Sequence, residues 1–87
     1  MLDELLGVKV VVDLRSPFVC LGTLERVDDQ YLELGNADLH DLRDTETTRE
    51  NYVAEAVAYG IRRNRKRVLV TRWEVAAMAR LDEVVDE

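Results

Sequence analysis

The segment Val8–Leu34, VKVVVDLRSPFVCLGTLERVDDQYLEL, decides how the rest of the chain is read. Val8, Val10, Val12 and Leu14 alternate with Lys9, Val11 and Asp13, the period-2 pattern of a strand that buries one face. Ser16-Pro17 makes a turn, and the apolar run from Phe18 to Leu24 opens a second strand that continues to Asp28. Gly22 interrupts that run. An isolated glycine inside a strand marks a sharp bend or the close approach of another backbone, as a small barrel requires. Asp29-Gln30 forms a tight turn, and a third strand follows over residues 30–35.

Before this segment, Leu2–Leu6 reads as a short helix with Asp3 as N-cap and Gly7 as its stop. Asn36 to Arg67 reads as a long connection with a helix in its middle. Thr47-Thr48-Arg49-Glu50 fits a capping box, in which threonine and glutamate each satisfy a free backbone N–H. Tyr52, Val53, Ala56, Val57 and Tyr59 then recur at spacings of three and four, and Gly60 closes the helix. That apolar stripe needs a partner, either the barrel or a neighbouring subunit. Arg67–Trp73 and Val75–Leu81, rich in Val, Leu and Ala, are the last two strands. The acidic residues 82–87 form a loose tail. The pattern shows no internal repeat or second domain, so residues 1–87 are read as one domain.

Composition narrows the function classes. Eighty-seven residues make a small core, which self-assembly would enlarge. Hydrophobic residues at 47% and charged residues at 34% describe a globular chain. The single cysteine, Cys20, has no intrachain partner and sits in an apolar strand, as a small buried hydrophobe does in a reducing compartment. No apolar run reaches membrane-spanning length, and Leu2-Asp3-Glu4-Leu5 is too acidic to open a secretory signal, so the expected location is cytoplasmic. The net charge of −6 argues against indiscriminate nucleic-acid binding. Its distribution adds detail: Arg62, Arg63, Arg65, Lys66 and Arg67 concentrate five of the twelve basic residues in one short window.

The pattern Gly22-x-Leu24-x-x-Val27-Asp28-x-x-x-Leu32-x-Leu34 closely resembles the first motif of the Sm and Sm-like proteins, which include bacterial Hfq. The resemblance implies a mainly β fold: a five-stranded, strongly bent antiparallel Sm-like (SH3-like) barrel with a short N-terminal helix. In this chain the barrel would carry a helical insertion before the fourth strand. The resemblance also implies a cyclic homo-oligomer, because in that family the fourth strand of one subunit pairs with the fifth of the next. Val68, Leu69 and Val70 and, on the other edge, Val75, Ala77 and Met78 are the candidate interface residues. Unlike edges that pair head to tail close into a ring when the rotation allows.

Single-stranded RNA is the ligand that the resemblance implies. Asp28 matches the family aspartate beside the base-holding loop, where it orients its neighbours; equally, an aspartate here caps the turn by accepting backbone N–H groups. The loop is one residue shorter than in many Sm proteins. Gln30 stands where Hfq has its stacking ring, and Asn36 comes too late to serve as the base-reading asparagine. Tyr31 either stacks a base or packs on its own sheet. The second family motif, Ile-Arg-Gly, corresponds to Val70-Thr71-Arg72-Trp73-Glu74-Val75, with either Thr71 or Arg72 on the arginine. Arg72 would meet phosphates, and Trp73 would meet bases or anchor a subunit contact. The run Arg62–Arg67 is either a phosphate collar or a solvated face paired with Asp38, Asp41, Asp44, Glu46 and Glu50. Asp38, His40, Asp41 and Asp44 lack a known metal-ligand signature, and no nucleophile–base set or phosphate-cradling glycine loop is visible. The reading is therefore a ring-forming RNA-binding protein with no catalysis, metal or cofactor. A second reading is an oligomeric scaffold that kept the barrel and lost the base pocket.

Overall fold

In chain order the computed structural model, which describes residues 1–44 and 46–85, contains β1 (Lys9–Leu14), β2 (Phe18–Val27), β3 (Tyr31–Asp41), α1 (Arg49–Tyr59), β4 (Arg65–Thr71) and β5 (Val75–Arg80). The five strands form one antiparallel sheet in the order β4-β3-β2-β1-β5. β4 and β5 thus lie on opposite edges, yet only the three-residue 3-10 turn Arg72–Glu74 joins them. A link that short forces the sheet to curl until its edges approach, which is the bent barrel expected from the sequence. Among the described residues no helix is long and apolar enough to cross a membrane.

The barrel interior is filled by Val10 and Val12 of β1, Cys20 and Leu24 of β2, Leu32, Leu34 and Ala37 of β3, and Val70 of β4. Leu2 and Leu5 pack against this cluster from the N-terminal side. Their segment is a 3-10 helix over Leu2–Leu5 whose N-cap is Met1, one turn rather than the Asp3-capped helix expected. Gly7 ends it at φ +80, and its N–H donates to the Leu24 carbonyl at 2.7 Å, fastening the segment across β2. Burial pushes the Cys20 thiol up to about 12, which keeps it protonated and inert.

Gly22 meets the expectation of close approach. A Cβ there would lie 3.1 Å from the Gly35 carbonyl oxygen and 3.2 Å from the Ala37 and Leu34 Cβ atoms. The β2–β3 register shifts at this point, from Leu21↔Asp38 to Thr23↔Gly35, and Asn36 takes a left-handed φ of +46. The extra residue bends β3 without ending it. β3 therefore runs on to Asp41, and the connection begins six residues later than the Gly35-Asn36 pair suggests.

A second core lies on the outside of the barrel. Val11, Val19 and Leu21 point away from the interior and are covered by Val53 and Ala56 of α1 and by Leu81, with Tyr52, Ile61 and Val84 beside them. The polar face expected for β1 is thus interrupted by Val11, which is 3% exposed. Two polar contacts fix the helix. Arg49 donates through Nε to the Asp13 carboxylate at 2.6 Å, and the Tyr52 hydroxyl donates to Asp38. The N-cap is Thr48, whose Oγ1 accepts from the Asn51 N–H at 3.1 Å, one residue beyond the Thr47 start of the expected capping box. Gly60, at φ +93, closes the helix as expected and donates to the Ala56 carbonyl at 2.9 Å. The docked face is narrower than the apolar stripe: Val57 and Tyr59 are 46% and 87% exposed. Leu81, expected to end the last strand, opens a 3-10 turn over Leu81–Glu83; of the expected tail 82–87, Val84 packs on the second core, while Asp86 and Glu87 lie outside the described residues.

Candidate nucleic-acid interface

The turn between β2 and β3 is built around Asp28. Its Oδ1 accepts from the Gln30 and Tyr31 N–H groups, both at 2.7 Å, and its own N–H donates to the Tyr31 carbonyl at 3.0 Å. The two backbone donors favour the charged form and hold this carboxyl below the usual aspartate range. A depressed carboxyl adds stability above its unfolded pKa and loses that contribution as the pH falls through its folded value. The turn-capping role of Asp28 is thus visible in the structure.

The turn between β4 and β5 is fastened to this one. The Arg72 N–H donates to the Gln30 carbonyl at 2.8 Å, and Arg72 Nη1 donates to the Asp28 carbonyl at 2.6 Å. The other end of the same turn is held by the Arg15 N–H, which donates to the Glu74 carbonyl at 2.7 Å. Of the two residues the sequence offers for the second motif, Arg72 is the one whose side chain reaches the first motif; Thr71 is a strand residue paired with Tyr31. Arg72 bonds the Asp28 carbonyl rather than its carboxylate, and its charge helps to keep that carboxyl ionised.

These two turns enclose a cleft of about 330 Å³ lined by Asp29, Gln30, Tyr31, Thr71, Arg72 and Trp73. Tyr31 also borders a second hollow with Arg26, Val27, Asp28, Glu33 and Leu69, so its ring stands as a wall between the two. Tyr31 is 41% exposed and Trp73 is 75% exposed, a large aromatic area for a surface turn. Two aromatic rings, a guanidinium and a free carboxamide suit a planar unpaired base with its phosphate. Rings supply stacking, the amide offers a donor and an acceptor, and the arginine supplies charge.

Five of the sequence candidates (Asp28, Gln30, Tyr31, Arg72 and Trp73) therefore converge, although the two turns are some forty residues apart in the chain. The other five do not join them. Arg65 faces Ala37 and Thr71 faces Tyr31, so the basic run lies at the far end of β4. At about 3.3 Å per residue, Arg65 lies roughly 20 Å and Arg67 roughly 13 Å from Thr71 along the strand. The acidic residues around His40 also disperse. Asp38 is buried and bonded to Tyr52 and Asn64, Asp41 pairs with Arg43 at 2.9 Å, and the His40 ring stacks on Tyr52 with centroids 4.1 Å apart. Among the described residues no three His, Cys, Asp or Glu side chains converge on one point. Sequence reasoning passed over Asn64, the one uncharged residue between Arg62 and Arg67. Its only signal there is that interruption.

No protein-family model and no curated protein matches the chain. Among solved structures it is similar to the Sm protein of Pyrococcus abyssii, determined in complex with a uridine heptamer. The two are 16% identical, and the match covers 90% of this chain and 89% of the other with a TM-score of 0.61. With five antiparallel strands in one bent sheet and this neighbour, the chain has an Sm-like fold.

Proposed function

We propose that residues 1–87 act as one divergent Sm-like unit that assembles into a ring and binds single-stranded RNA without catalysing a reaction. The observation that carries this reading is the cleft in which Arg72 ties the two turns together and leaves Tyr31 and Trp73 exposed on its walls. The structural neighbour binds a uridine heptamer, which supports the same ligand class. The ring is supported by the two sheet edges, since β4 and β5 each have only one neighbouring strand. Unpaired edges recruit another strand unless covered. Among the interface candidates Val68, Val70, Val75 and Met78 pack on the barrel's own core, while Leu69 and Ala77 are exposed. The first four residues would thus contribute their backbone to a neighbour, and only Leu69 and Ala77 their side chains.

Titrating labelled oligouridine and oligoadenine tests the cleft. Replacing Tyr31 by alanine is expected to weaken binding by about 1–3 kcal/mol, the increment of one stacked base, without changing its salt dependence. A wild-type protein that binds neither oligonucleotide at low salt leaves the scaffold as the function of this barrel.

A further inference from the structure

The run at the far end of β4 has properties that a solvated charged face lacks. Arg62, Arg63, Arg65, Lys66 and Arg67 are all exposed, and among the described residues none of them forms an ion pair with a carboxylate. The rest of the chain has seven basic against eighteen acidic side chains, so acidic partners are plentiful. Arg26, Arg43, Arg49 and Arg80 each pair with one: Glu33, Asp41, Asp13 and Asp82 respectively. Of the expected partners of the run, Asp41 and Glu50 pair with other arginines, and Asp38 feels the charges of Arg62 and Arg65 without forming an ion pair with either. Asp38 bonds Tyr52 and Asn64, and Asp41 holds Arg43. Arg63 and Arg65 bond neutral groups instead: Arg63 Nη1 donates to Asn36 Oδ1 at 2.7 Å, and Arg65 Nη1 donates to the Asn64 carbonyl at 3.0 Å. Their guanidinium groups are oriented by neutral partners and make no direct ion pair among the described residues.

Asn64 fixes the backbone of the run. Its N–H donates to the Ala37 carbonyl at 2.9 Å. Its side-chain amide then behaves as an extra peptide beside β3: Oδ1 accepts from the Leu39 N–H at 3.0 Å, and Nδ2 donates to the Leu39 carbonyl at 3.0 Å. The same Nδ2 reaches the buried Asp38 carboxylate at 2.9 Å. Asn64 thereby extends the β3–β4 ladder past Ala37 and holds five cations in place, so their mutual repulsion is met in the folded state before any ligand arrives. On β4 Arg65 and Arg67 follow every second residue, about 6.6 Å apart. That spacing is comparable with the step between successive phosphates in an unstacked strand. A shallow hollow of about 410 Å³ lies among Arg63, Asn64, Arg65 and Lys66.

We infer that Arg62–Arg67, held by Asn64, is a separate phosphate-binding site that takes the backbone of the same single-stranded RNA at a distance from the base cleft. The choice of RNA as the polyanion rests on the reading of the cleft given above; the presence of an anion site does not. The roughly 20 Å from Arg65 to Thr71 corresponds to about six nucleotides at the stacked rise of 3.4 Å. A trinucleotide spans only two phosphate steps, roughly 14 Å even at twice that rise; from the cleft it reaches Arg67, about 13 Å from Thr71, but not Lys66, Arg65 or Arg63.

The test is a fluorescence-anisotropy titration of labelled uridine dodecamer and uridine trimer over a series of salt concentrations. Wild type is expected to show a steeper salt slope for the dodecamer than for the trimer. The combined variant Arg63→Ser, Arg65→Ser, Lys66→Ser is expected to lose about 2 units of the dodecamer slope, at ~0.7 per cation, and to bind the trimer as wild type does. Arg63→Lys with Arg65→Lys keeps the charge and is expected to keep the slope. Equal slopes for the two oligonucleotides in wild type, or an unchanged dodecamer slope in the serine variant, overturn the inference. So does binding to phosphatidylserine vesicles that the serine variant loses while its dodecamer affinity stays at the wild-type value. Steep dodecamer binding with no trimer binding supports this site and removes the cleft. Trimer binding with no additional dodecamer slope does the reverse.

Discussion

Replacing Val70 with aspartate is expected to unfold the barrel. Val70 is 5% exposed and belongs to the interior cluster with Leu32 and Leu34, its register partner on β3 being Leu32. The side chains packed around that position are apolar, so burying a carboxylate there costs on the order of 4 kcal/mol or more. A domain of this size holds about 5–15 kcal/mol in total, so the variant loses much of its stability. Leu69→Lys is the paired control. Leu69 is 58% exposed and faces Glu33 across the ladder, where a lysine is tolerated. The lysine variant is expected to melt near wild type while its assembly weakens, since Leu69 is one of the few apolar side chains that β4 offers a neighbour. Melting curves and sedimentation of the two variants separate folding from assembly.

The second core gives an equally large contrast within one helix. Val53, 2% exposed, packs from α1 into the outer core with Val11, Val19 and Leu21. Val53→Asp is expected to cost about 3 kcal/mol and to lower the melting temperature by roughly 12 °C or more at this chain length. Val57→Asp, one turn further on, is expected to cost less than about 1 kcal/mol because the side chain already meets water. Val57 lines the rim of a groove with Gly7, Val8 and Ile61 and does not enter the core. Equal melting of the two variants would mean that α1 does not dock through Val53.

The contrast also shows what the residues could and could not announce. The hairpin turn at Asp28, the close approach at Gly22 and the helix start and stop were legible because each depends on local chemistry: a carboxylate capping two N–H groups, an absent Cβ, a hydroxyl at an N-terminus. The extension of β3 was written in the sequence too, since Ala37 and Leu39 alternate with Asp38 and His40. Gly35-Asn36 hid it, because a bulge and a turn use the same residues. Val10-Val11-Val12 and Phe18–Leu21 are short unbroken apolar runs, the mark of strands covered on both sides, but the flanking Lys9 and Asp13 made β1 read as covered on one side only. Which of the helix's apolar residues would dock was not readable, because Val53 and Val57 differ only in the direction set by the packing of α1 on the sheet. The convergence of Asp28, Tyr31, Arg72 and Trp73 followed from the family resemblance. No local rule brings together two turns so far apart in the chain. The distance of the basic run from that cleft required the register of β4.

Native mass spectrometry of the protein mixed with a uridine heptamer at low salt is expected to show one discrete assembly, a multiple of the 10.0 kDa chain, that carries RNA. A 10.0 kDa species with no RNA bound at micromolar concentration would contradict that expectation.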